Sequence, residues 1–124
     1  MGSIHIEVID DLTARDIHKL TRQILYIIYE EFGIILTIGV YASNTNTEEY
    51  KKIKEDLKSI INKYPEILQM HGFYIDDEMK LITFDIIVDF DANREEIKTK
   101  VLEEISTTYP EYTFDAILDA DFSD

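Results

Sequence analysis

The chain has 124 residues, 45% hydrophobic and 31% charged, with 26 acidic residues against 12 basic and a formal net charge of −14. That balance suits one globular domain, and the acidic surplus argues against a nucleic-acid partner, which needs a basic face, and against direct insertion into or docking on anionic lipid. The absence of cysteine excludes a disulfide framework, a thiolate zinc site and a cysteine nucleophile, and fits a reducing compartment.

Ile4, Ile6 and Val8 alternate with His5 and Glu7, which predicts a half-buried strand. Asp10 and Asp11 supply a turn, and Thr13 with Asp16 begins a helix in capping-box style. Ile17, Leu20, Ile24, Ile27 and Ile28 recur at helical spacing to about Phe32, where Gly33 ends the run. Ile34 to Tyr41 is a second strand. Thr45 with Glu48 caps the next helix, whose stripe is Ile53, Leu57, Ile60 and Ile61 and which stops before Pro65.

Ile67 to Ile75 and Leu81 to Phe90 predict a hairpin turned at Asp76 to Lys80. Asn93 and Glu96 open a last helix carrying Ile97, Val101, Leu102 and Ile105, and after Pro110 comes a final strand, Tyr112 to Leu118. The expected order is βαβαββαβ within a single soluble domain, residues 1–124. There is an internal echo: Tyr64-Pro65-Glu66 and Tyr109-Pro110-Glu111 each separate a helix from a strand. Residues 4–42 read as a partial βαβ copy and 47–121 as an αββαβ unit. The fold class expected is α+β, a ferredoxin-like two-layer sandwich with helices on one face of the sheet.

Strand alternation puts Asp85 and Asp89 on one face of the Leu81 strand, opposite Phe84, Ile86, Val88 and Phe90, while Asp115 and Asp119 share a face of the last strand. With His71 on the neighbouring strand, imidazole and carboxylates gather on the open sheet face, a donor set suited to manganese, iron, cobalt or zinc. The plainer reading of each aspartate is solubility and blocked edge pairing. No GxSxG, P-loop or HExxH pattern occurs, and only four glycines are present, so the reading is not an enzyme. An acylphosphatase-like site would need a phosphate-cradling loop beside an arginine, and Arg15, Arg22 and Arg94 stand in none.

Leu68-Gln69-Met70-His71-Gly72-Phe73-Tyr74-Ile75-Asp76, then Ile82-Thr83-Phe84-Asp85-Ile86-Ile87-Val88-Asp89-Phe90, a helix, and Tyr109-Pro110-Glu111-Tyr112 form a set. The set resembles the cytoplasmic C-terminal domain of cation diffusion facilitator transporters over roughly Thr47 to Asp121. Ile4 to Val8 with Leu12 to His18 resembles the second half of another copy. The resemblance implies a homodimerising regulatory domain below the transmembrane region of a parent efflux transporter, on the cytoplasmic side of the membrane. The missing first helix and strand of the partial copy point either to a longer chain cut here or to a sheet that the second copy completes. It implies a divalent metal cation held by His71, Asp85, Asp119 and Asp121, with His5 and His18 at the corresponding places of the partial copy. Aspartate at 85 and 119, where zinc-transporting members tend to have histidine, and Lys98 at the helix position shift the expected ion towards manganese or iron. The alternative is a stand-alone ferredoxin-like module that binds a small ligand or a protein.

Overall fold

A computed structural model describes residues 1–119. The chain is α+β in the order β1 (Gly2–Ile9), α1 (Ala14–Phe32), β2 (Leu36–Ser43), α2 (Glu48–Ile61), β3 (Ile67–Asp76), β4 (Leu81–Val88), α3 (Arg94–Thr108) and β5 (Thr113–Asp119). It divides into two compact units, Met1–Ser43 and Asn44–Asp124. The described strands form two sheets, β1-β2 in the first unit and β3-β4-β5 in the second. No described helix is long and apolar enough to cross a membrane.

The first unit is a βαβ crossover. β1 and β2 run parallel, setting Ile4 beside Ile38 and Ile6 beside Val40 on an apolar face. The α1 start is the expected capping box: the Thr13 hydroxyl accepts from the Asp16 N–H, and the Thr13 N–H donates to the Asp16 carboxylate at 3.2 Å. Gly33 ends the helix at φ 63°, in the left-handed region a side chain disfavours. Strand β2 begins at Leu36, two residues later than expected, and leaves Ile34 and Ile35 exposed.

The second unit holds every buried side chain of the described residues. Its sheet has β4 at the centre, antiparallel to β3 and parallel to β5. α2 and α3 lie together on one face. Ile53, Leu57, Ile97, Val101 and Ile105 from the helices meet Ile82, Phe84 and Ile86 from β4 in one core. Burying each such side chain contributes about 1.5–3 kcal/mol. At the edge of β3, the Asn44 side-chain amide bonds both the carbonyl and the N–H of Ile75, at 2.7 and 3.3 Å, in place of a neighbouring strand.

Two local expectations are corrected. Thr47, not Thr45, caps α2, its hydroxyl accepting from the Tyr50 N–H. β4 ends at Val88: the Asp89 N–H donates to the Glu66 carbonyl at 2.8 Å, and the Asp89 carboxylate then accepts from the Asp91 N–H, which turns the chain. Phe90, expected on the core face, is therefore 90% exposed.

Candidate metal centre

The central strand carries the site. Alternation along β4 sends Ile82, Phe84, Ile86 and Val88 to the helices, so Thr83, Asp85 and Ile87 face the other way. β3 and β5 flank Asp85 on both sides, and it is only 7% exposed. No other charged residue among those described is buried. Burying a carboxylate is costly unless hydrogen bonds or a cation compensate it.

His71 on β3 lies directly across from Asp85 in the antiparallel register. That placement depends on a bulge. From His71↔Asp85 the register moves to Tyr74↔Thr83, three residues on β3 against two on β4. Gly72 makes the extra step at φ 69°. Strict alternation would send Phe73 to the same face as His71. The bulge instead buries Phe73 and Ile75 in the core while His71 stays with Asp85.

Asp119, at the end of β5, pairs in register with Ile87, one pleat along from Asp85 on the same face. Its carboxylate approaches His71 Nε2 at 3.8 Å. His71, Asp85 and Asp119 thus each offer one ligand atom, all within 4.8 Å of one another. Neighbouring ligands held about 2.0–2.2 Å from one ion lie about 3–3.6 Å apart, so these three side chains would have to draw together to share a first-row divalent ion. One imidazole and two carboxylates suit manganese, iron, cobalt or zinc better than magnesium or calcium.

No protein-family model, curated protein or solved structure matches this chain.

The other ligands expected from the sequence do not join the trio. Asp121 lies outside the described residues. His5 and His18 belong to the first unit, on β1 and α1, and neither joins a group of three donor side chains among the described residues. The His5 ring covers Gly39, where a Cβ would collide with it, and sits 5.3 Å from the Tyr41 ring. Lys98, at the helix position, reaches Asp115 at 3.8 Å.

Two contributors were not evident from the sequence pattern. Gly72 sets the bulge, and its signal was a glycine between two strand residues. Arg94, the first residue of α3, donates from Nη2 to the Asp119 carbonyl at 3.2 Å and so pins the end of β5 that presents the Asp119 carboxylate.

Proposed function

We propose that this chain is the cytoplasmic regulatory domain of a divalent-cation efflux transporter, with no catalytic activity of its own, which binds metal and self-associates. The observation that carries the reading is the convergence of His71, Asp85 and Asp119 on one point, with Asp85 buried. Three protein ligands leave coordination positions open, as sites that exchange or share an ion require. The resemblance of the His71 strand, the Asp85 strand and the Tyr109-Pro110 ending to the cation diffusion facilitator domain supports the same reading.

The physics is direct. Two chains at −14 repel each other. A divalent ion at each carboxylate cluster offsets part of that repulsion where fields are least screened. An ion that binds one arrangement of two protomers better than the other shifts the balance by that difference in affinity.

Small-angle scattering during a titration with manganese, iron(II), cobalt and zinc tests this. The expected result is compaction of a dimer as one of these ions saturates. Profiles unchanged by all four would overturn the regulatory reading and favour the stand-alone module.

A further inference from the structure

We propose that β1 and α1 pair with the same two elements of a second copy of this chain, building a four-stranded sheet under two antiparallel helices. This deepens the self-association proposed above but rests on the first unit alone and needs no cation.

The second unit shows what a βαβ crossover of this kind requires. There β4, α3 and β5 form the crossover, β3 occupies the outer edge of β4 in antiparallel register, and α2 lies against α3. With those neighbours present, Ile97, Val101 and Ile105 of α3 are buried. In the first unit β1, α1 and β2 repeat the crossover, yet no residue of α1 is buried. Tyr26, Ile27, Tyr29 and Phe32 are 53–67% exposed, and β1 has β2 as its one paired strand among the described residues. A two-stranded sheet with one helix is marginal in water without further cover.

A second copy covers the strand edge and the helix face at once. A two-fold axis normal to the sheet beside β1 sets the two β1 strands antiparallel, as β3 is to β4. The same axis brings the two α1 helices side by side, antiparallel, on one face. Charge along α1 favours that direction: Arg15, Lys19 and Arg22 outnumber Asp16 in its first half, and Glu30 and Glu31 lie near its end. Antiparallel pairing centred between Ile24 and Leu25 sets Lys19 opposite Glu30 of the copy and Gln23 opposite Tyr26. The unit is also the weakly charged part of the chain, with three basic and six acidic residues in 1–43.

Light scattering of the full chain in a chelator tests the pairing. The expected mass is twice 14.5 kDa. Ile27→Lys, at an exposed position that this pairing sets opposite Arg22 of the copy, is expected to weaken the dimer more than about tenfold by setting like charges against each other. Lys19→Glu weakens it, and adding Glu30→Lys to Lys19→Glu restores it. A monomer in chelator at high concentration overturns the proposal and leaves the seat to a helix–strand segment of another protein. A dimer that forms only with metal overturns it too, while sparing the metal reading. A dimer indifferent to Ile27→Lys and to both charge changes also contradicts it.

Discussion

The Tyr64 hydroxyl donates to the Glu104 carboxylate across 2.8 Å, tying the segment after α2 to the body of α3. The tie is reciprocated: Tyr109, the residue after α3, donates to Asp56 on α2. The two Tyr-Pro-Glu echoes of the sequence thus become crossed braces between the helices that cover the core.

Tyr109→Phe removes one brace, and its effect depends on pH in two directions. The Tyr109 hydrogen bond first, then Lys52, hold the Asp56 carboxyl below its ordinary 3.8. The stability Asp56 adds is present above that pH and lost as pH falls through the folded-state value. Burial first, then the Asp56 bond, push Tyr109 up from 10 to about 12. Its contribution is complete below pH 10 and is lost as pH rises towards that value. Urea unfolding of Tyr109→Phe is expected to show a loss of about 1 kcal/mol at pH 7, discounted because Asp56 is one-third exposed. The variant also unfolds with a flatter pH dependence both below about 4 and above about 10.

Gly72→Ala forces a side chain into φ 69°. The expected cost is about 1–2 kcal/mol in denaturant unfolding. Because the bulge separates His71 from Phe73, the variant also binds divalent ions more weakly than a change of equal destabilisation away from the trio, such as Tyr109→Phe. Equal metal binding by the two variants would show that the bulge does not position His71.

Every buried side chain among the described residues lies between Ile53 and Ala116. A chain beginning at Asn44 is therefore expected to unfold in one cooperative transition with a midpoint close to that of the intact protein's main transition. Within it, Leu57→Ala, at a position with no exposed surface, costs about 2–5 kcal/mol. Loss of cooperative unfolding on removing residues 1–43 would show that the core needs the first unit.

Element order was legible because α1 and α3 begin at the expected Thr13 and Asn93, whose side chains accept from the N–H three residues on, and each apolar stripe keeps one period; the α2 cap falls at Thr47, two residues after the Thr45 expected. The face of Asp85 was legible from alternation alone. What alternation could not reveal was a change of register: Gly72 moves Phe73 to the core, and the Asp89 turn throws Phe90 out of it. Nor could one-dimensional pattern show that strands of similar composition form two sheets, since pairing partners are set by tertiary contacts. Arg94 gave no sequence signal of its reach to Asp119, because that contact joins residues far apart in the chain.

That His71, Asp85 and Asp119 hold one divalent cation is the claim on which the functional reading depends. Calorimetric titration of manganese, cobalt and zinc into the intact chain and into Asp85→Asn at physiological ionic strength tests it most directly. Asparagine keeps the shape of the buried side chain while removing its charge. The expected result is one ion per chain for the wild type and affinity lowered at least about tenfold in Asp85→Asn. No binding by the wild type, or equal binding by both proteins, would contradict it.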